Sequence, residues 1–199
     1  IEMESAAAAV VGASGAIGRI CAELLSKEVA QVFLIGRNRE ALDHLRLILI
    51  ERGATAKLTI STNMEDLRRS QLILGVTSAM GAVIQPEHVS PGSVICDVAR
   101  PRDVALQIKT ACEDVLVIDG GLVEVPGDVD FHFDFGLPPR KAYACMAETM
   151  ALALEGRFED YTVGKDISIE KVNEIAQIAQ KHGFRLSGFR SFEQPVSEE

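Results

Sequence analysis

The chain of 199 residues contains no apolar run of the length that crosses a membrane. It has no signal peptide, so the cytoplasm is the expected compartment. Its four cysteines, Cys21, Cys96, Cys112 and Cys145, include no CxxC pair. That spacing argues against a zinc site or a disulfide framework and for free thiols in a reducing compartment. Positive charge is in deficit: 20 Lys and Arg against 29 Asp and Glu leave a net charge of −9. Such a balance argues against a nucleic-acid surface. There is no internal repeat and no low-complexity tract. What remains, 47% hydrophobic and 25% charged residues, is the composition of a globular domain with room for a small appendage. The first residue is Ile1, and a chain that opens directly on its first core strand is expected to lack an upstream portion.

The strongest motif is Val10-Val11-Gly12-Ala13-Ser14-Gly15-Ala16-Ile17-Gly18. The apolar run Ala6 to Val11 before it reads as a buried strand. Ile17, Ile20, Cys21, Leu24 and Leu25 after it recur at helical spacing. A glycine-rich turn from strand to helix lets backbone N–H groups approach a phosphate. Gly12 would make the tight turn, Gly15 the close approach and Gly18 the close packing of helix on sheet. The expected ligand is a dinucleotide held by Gly12, Ser14, Gly15, Ala16 and Ile17. The plain alternative is a strand–helix turn that binds nothing, because G-x-x-G-x-x-G is a short pattern.

Strands and helices then alternate with short connections, the signature of an α/β fold with a doubly wound, Rossmann-like parallel sheet. Strands are expected at Val32–Ile35, Lys57–Ser61, Leu72–Val76, Val94–Val98 and Val115–Ile118. Asn38 caps a helix from Arg39 to Arg52 that stops at Gly53, and Asn63 caps a brief one. Pro101 fits the first turn of another helix. Phe131-His132-Phe133-Asp134-Phe135 alternates like a half-buried strand. Pro138-Pro139 breaks the chain, and Ala142 to Leu154 reads as a helix buried on all sides. A last helix runs from Ser168 to His182 and stops at Gly183, and residues from Arg190 on are expected to fray. The expected domains are residues 4–137, an NAD(P)-binding Rossmann domain, and residues 138–189, a helical segment packed on it.

The end of the second strand discriminates between dinucleotides. A carboxylate there bonds the ribose 2′-OH of NAD, whereas an arginine accommodates the 2′-phosphate of NADP. The sequence is Gly36-Arg37-Asn38-Arg39, so Arg37 and Asn38 predict NADP(H). Thr77-Ser78 ends the fourth strand, where small residues let a nicotinamide ribose lie close to the backbone; many strands also end in small polar residues without a ligand.

Three groups bear chemistry. Cys145 is a candidate nucleophile for an activated acyl group, with Lys141 one helical turn back. With Pro138-Pro139 as the helix start, Cys145 lies nearly two turns in, beyond the reach of the helix dipole. By residues alone it reads as an inert core thiol. His132 and Asp134 share one face of the alternating strand and suit acid–base work, or stand as a solvent-facing pair. Asp97 and Asp119, each at a strand end, bind substrate or cap the following turn.

Tyr143-Ala144-Cys145-Met146-Ala147-Glu148-Thr149-Met150-Ala151-Leu152 resembles the cysteine-bearing helix of the long-chain acyl-[acyl-carrier-protein] reductases, the fatty-aldehyde-forming enzymes of cyanobacteria. The glycine loop, Leu34-Ile35-Gly36-Arg37-Asn38, Gly120-Gly121-Leu122-Val123-Glu124, Ile169-Glu170-Lys171-Val172 and Lys181-His182-Gly183-Phe184-Arg185 are similar to segments of the same family, in the same order. The resemblance implies NADPH-dependent reduction of a fatty acyl thioester, on acyl carrier protein or coenzyme A, to an aldehyde. Cys145 would be the nucleophile that carries the acyl group, and Cys21, Cys96 and Cys112 would be structural. It also implies a substrate domain ahead of the glycine loop, which is expected to lie upstream of Ile1. Asp97-Val98-Ala99-Arg100-Pro101 departs from the glycine-rich segment of the family. Two other readings stay open: an amino-acid or shikimate-type NADP-dependent dehydrogenase, which needs no cysteine, and a non-catalytic module that senses NADP.

Overall fold

The computed structural model describes residues 1–134, 136–164 and 167–196. Six strands, β1 (Ala7–Val11), β2 (Gln31–Ile35), β3 (Lys57–Ser61), β4 (Leu72–Gly75), β5 (Val94–Asp97) and β6 (Leu116–Asp119), form one parallel sheet in the order β3-β2-β1-β4-β5-β6. This is the Rossmann-like order expected from the alternating pattern. The alanines of β1 are poor strand formers. They extend here because β1 is central, paired with β2 and with β4 and buried from both faces.

Successive residues of each strand serve two cores. Ala8, Val10, Val32 and Leu34 pack with Ala22, Leu42, Leu45 and Leu49, beneath α1 (Ala16–Leu25) and α2 (Arg39–Glu51). On the other face, Ala9, Val11, Phe33, Ile35, Ile73 and Ile95 pack with Leu67, Ile84, Val104 and Ile108. Among the described residues of the first unit, no long helix closes this second face. A 3-10 turn at Met64–Arg69, irregular segments and the short α3 (Ile108–Ala111) do so.

The helix expected to open at Pro101 therefore does not form. Asp97 is fully buried, and its carboxylate accepts the N–H groups of Ala99 at 3.1 Å, Asp103 at 3.3 Å and Val104 at 3.1 Å. Those N–H groups are drawn back onto the sheet edge, which leaves no room for a helical start.

Two compact units divide the chain: Ile1–Gly120 with Arg190–Gln194, and Gly121–Phe189 with the residues from Pro195 on. The sequence places a boundary after residue 137. The structure divides earlier because β7 (Leu122–Glu124) leaves the parallel sheet and pairs antiparallel with β8 (Lys141–Tyr143) and β9 (Arg185–Leu186). In this second unit α4 (Ala144–Leu154) and α5 (Ile169–Lys181) enclose a core of Val125, Ala142, Ala147, Ala151 and Phe184.

Three expectations are corrected here. Residues 131–134 bend and form no strand, with His132 in the left-handed region at φ 51° and Phe133 exposed; Phe135 lies outside the described residues. Ala142 and Tyr143 belong to β8, and α4 is not buried all round: Ala147, Ala151 and Leu152 face the core, whereas Cys145, Thr149 and Leu154 are exposed. Residues 190–196 do not fray. β10 (Arg190–Ser191) and β11 (Gln194–Pro195) form a hairpin, and the main-chain N–H of Glu193 bonds Asp119 at 2.7 Å. No helix among the described residues is long and apolar enough to cross a membrane.

The tightest packing lies where α1 crosses the glycine loop. A Cβ at Gly18 would stand 2.2 Å from the Gly12 carbonyl oxygen and 2.9 Å from Ala13 Cα. Gly18→Ala is expected to destabilise the protein by about 1–3 kcal/mol through overpacking, although alanine normally gains up to ~1 kcal/mol at an open helix position. Urea unfolding of the two proteins checks the sign.

Candidate functional site

The loop from Gly12 to Gly15 lies at the carboxyl end of β1, where the strand order reverses between β1 and β4. In open α/β sheets this is the crevice that ligands occupy. Gly12 takes φ 87°, and a Cβ there would press on Val76 and Thr77 at 3.0–3.2 Å. The N–H groups of Gly12 and Ala13 both bond the Ile35 carbonyl, at 2.8 and 3.1 Å, which fixes the loop to the end of β2. Gly15 then stands as N-cap of α1, and no side chain caps that end. The first-turn N–H groups of Ala16, Ile17 and Gly18 have no partner within the helix. Ile17 is half exposed beside them.

At the end of β2, Arg37 is exposed and makes no ion pair among the described residues. Asn38 caps α2, its Oδ1 accepting the Ala41 N–H at 3.1 Å. Arg39 turns to Asp43 at 3.9 Å. The structure thus brings Gly12, Ser14, Gly15, Ala16, Ile17, Arg37, Asn38 and Thr77 to one edge of the sheet, at the ends of β1, β2 and β4. Ser78 follows Thr77 and is exposed.

Sequence reasoning missed what holds Thr77. Asp103 is fully buried, and its carboxylate receives both the Thr77 hydroxyl and, at 2.8 Å, the Thr77 N–H. The Thr77 hydroxyl oxygen in turn accepts the Ala79 N–H at 3.1 Å. Asp103 occupies the space over Gly75, where a Cβ would meet its own at 2.9 Å. The one cue in the sequence is that glycine inside an apolar strand, which marks a close approach.

Gly75, Asp97 and Asp119 are consecutive cross-strand partners along the same edge. Burial pushes the Asp97 carboxyl above its ordinary range, against the pull of its three N–H donors. Asp119 is buried too, which works to raise it. The Arg102 guanidinium, bonded through two nitrogens, and the Glu193 N–H outweigh that and hold it below the usual carboxylate range. Both aspartates thus anchor the chain that follows them.

In the second unit Cys145 is exposed at the second residue of α4. β8 runs straight into this helix: Tyr143 is the N-cap, no side chain caps the end, and the Ala144 N–H bonds the Gly121 carbonyl at 2.8 Å. The helix starts later than Pro138-Pro139 suggests, so Cys145 lies in the first turn, not two turns in. Lys141 is not its neighbour on the helix. It belongs to β8, and its Nζ bonds Glu124 Oε2 at 2.9 Å. Burial pushes the Cys21 thiol up to about 11 and raises Cys96 as well, which leaves both as packing thiols at neutral pH. His132 and Asp134 do not pair. His132 lies 3.2 Å from Asp130, and Asp134 accepts the Gly136 N–H at 2.7 Å.

Residues 1–119 match the family model described as shikimate / quinate 5-dehydrogenase. The chain belongs to that family. This family member is 33% identical over 193 residues to the long-chain acyl-[acyl-carrier-protein] reductase of Synechococcus elongatus, a match that covers 93% of the chain and 54% of the relative. It is 32% identical over 202 residues to the aminotransferase PigE of Serratia sp., covering 100% of the chain and 24% of the relative. The chain thus spans about half and about a quarter of the lengths of these two proteins. Among solved structures, glutamyl-tRNA reductase from Methanopyrus kandleri is similar at 28% identity and a TM-score of 0.47, covering 58% of this chain and 30% of that one.

The Arg102–Asp119 pair has a signed consequence. A carboxyl held below its unfolded value adds stability above that value, about pH 4, and loses it as pH falls through the folded one. Asp119→Asn is expected to lower stability at pH 7 by about 2–3 kcal/mol, somewhat less than the loss of one partner from a fully buried pair. The difference from the parent protein should shrink on acidification below pH 4. Urea titrations at pH 7 and pH 3.5 measure both.

Proposed function

We propose that this chain carries the cofactor-binding and nucleophile-bearing parts of an NADPH-dependent reductase. Its substrate would be a long-chain acyl thioester on acyl carrier protein or coenzyme A, its product a fatty aldehyde, and its intermediate an acyl group on Cys145. The observation that carries this reading is the position of Cys145: exposed, in the first turn of a helix without a side-chain cap. N–H groups at such an end face negative charge as it develops on the sulfur and on a reacting carbonyl oxygen. The 33% identity to the cyanobacterial reductase across 93% of the chain supports the same assignment.

The chemistry at sulfur is acyl transfer. The Cys145 thiolate attacks the thioester carbonyl carbon and forms a new carbon–sulfur bond. The bond to the carrier's sulfur breaks, and the carrier leaves as a thiol after taking up a proton. NADPH, when bound, would supply the hydride; as the new carbon–hydrogen bond forms, the carbon–sulfur bond to Cys145 breaks, and the aldehyde leaves with the Cys145 thiolate restored.

The first unit fits that cofactor. The N–H groups of Ser14, Ala16 and Ile17 would hold the pyrophosphate at the start of α1, while the Gly15 N–H closes the turn onto the Gly12 carbonyl at 2.9 Å. The absent side chains of Gly12 and Gly18 keep the loop flat enough for that approach. Arg37 offers its unpaired guanidinium fork to the 2′-phosphate, and Asn38 fixes the turn through its cap. Thr77, clamped by Asp103, and Ser78 would border the nicotinamide ribose.

The family match over residues 1–119 supports a second reading, a shikimate-type dehydrogenase that uses the same cofactor loop and no cysteine. A thiol-blocking reagent separates the two, because it leaves that activity intact.

Two measurements test the proposal. Incubated with palmitoyl-coenzyme A, the chain is expected to gain one acyl group by intact mass, and Cys145→Ala none. No adduct on the parent chain, or an adduct that persists in Cys145→Ala, overturns the covalent mechanism. In a fluorescence titration Arg37→Ala is expected to weaken NADPH by about tenfold, the loss of one charged hydrogen-bonded contact. NADH should stay within about twofold; equal losses for both would remove Arg37 from the 2′-phosphate.

A further inference from the structure

The first unit carries an open depression of about 840 Å³ whose lining includes no residue of the glycine loop, within the size range of small-molecule sites. Its walls are the segments after β4 and β5, from Gly81 to Gln85 and from Arg100 to Gln107, and its rim is Phe192 and Glu193. Two guanidinium groups line it. Arg100 bonds only main-chain carbonyls there, that of Ala99 at 2.7 Å and that of Asp97 at 3.5 Å. Arg102 commits one edge to Asp119 and turns Nη2 to Glu193 Oε1 at 3.3 Å.

Among the described residues Glu193 is the only acid of the lining, and its side chain is 75% exposed, so the ion pair is a weak one. The turn that carries it is bent against preference. Phe192 and Glu193 take φ 47° and 68°, where glycine and asparagine are usual. Two contacts hold it: the Glu193 N–H on Asp119 at 2.7 Å, and the Phe192 ring beneath Arg102 at 5.5 Å and Lys109 at 6.0 Å. A strained turn thus delivers one carboxylate to the mouth of a basic pocket.

We propose that this depression binds a small organic carboxylate with an apolar body, and that Glu193 is its internal stand-in. The ligand head takes the place of the Glu193 carboxylate on Arg102 and gains the free N–H groups of Arg100. The body lies along Pro101, Leu106 and Phe192, of which Leu106 is 66% exposed. A carboxylate is favoured over a phosphate because Asp119 already fills one edge of Arg102, leaving donors for a single charge. The site depends on neither the NADPH assignment nor Cys145.

Octanoate is the probe, with octan-1-ol and octyl phosphate as comparisons, in a proton–nitrogen NMR titration of the whole chain. Octanoate is expected to shift the amide signals of Gly81, Ala82, Leu106 and Glu193. Arg100→Gln should weaken it about tenfold, the value of one charged contact, and Glu193→Gln should tighten it about threefold by removing the internal competitor. Both side chains project from the surface, and circular dichroism verifies that both variants fold. The proposal is overturned if octanoate shifts none of these signals or if octan-1-ol shifts them equally. Affinity unchanged in both variants overturns it too. Tighter binding of octyl phosphate than of octanoate overturns the carboxylate class.

Discussion

A carboxylate buried in a sheet edge has to be given hydrogen bonds, and much of the first unit is arranged around doing so for Asp97. The cost of leaving an ionised group unsatisfied there would exceed what several apolar contacts return. Three N–H groups from the segment after β5 satisfy it, so that segment lies on the sheet as irregular chain. Once it is there, Asp103 reaches Thr77 over the gap left by Gly75, and Arg102 reaches Asp119. The end of β4, the end of β6 and the C-terminal turn all take their positions from that one desolvated group.

The helix starts divide into two kinds. α2 and α5 carry side-chain caps, Asn38 and Ser168, which satisfy one of their free N–H groups. α1 and α4 begin at Gly15 and Tyr143 and have no such cap. The single-turn α3 also lacks a side-chain cap; of the longer helices, the two without one bear the glycine loop and the exposed cysteine. A protein gains stability by capping, so the first-turn N–H groups left unbonded at these two ends, Ala144 apart, are consistent with reserving them for an anion.

The legible parts of the sequence were those in which period and burial agree. β1 to β6 stand out as apolar runs between turn residues, and Asn38, Asn63 and Ser168 mark helix starts through the chemistry of their own side chains. The glycine loop is legible because Gly18 answers to Gly12 and Ala13 a few residues away and Gly12 takes a positive φ that its own turn demands. What was not legible depends on partners distant in the chain. The segment at Pro101 looks helical until the N–H demand of buried Asp97 is counted. The alternation at 131–135 has no strand beside it to pair with. Cys145 looked buried because Ala142 and Tyr143 read as helix, whereas pairing with β7 makes them strand and moves the helix start to the cysteine. Asp103 has no local signature at all, since its role exists only when β4 and the segment after β5 lie side by side.

The C-terminal turn has a consequence for the order in which the molecule is made. Arg190–Gln194 belongs to the unit built by Ile1–Gly120, although residues 121–189 of the second unit lie between them in sequence. A ribosome therefore delivers all six parallel strands long before it delivers Glu193. Through that interval Asp119 lacks one of its donors, and Phe192 is not yet packed against the sheet's second core. The unit that starts first is completed only after residues 121–189 of the other have been made, and a nascent chain at this stage carries its basic depression without a rim.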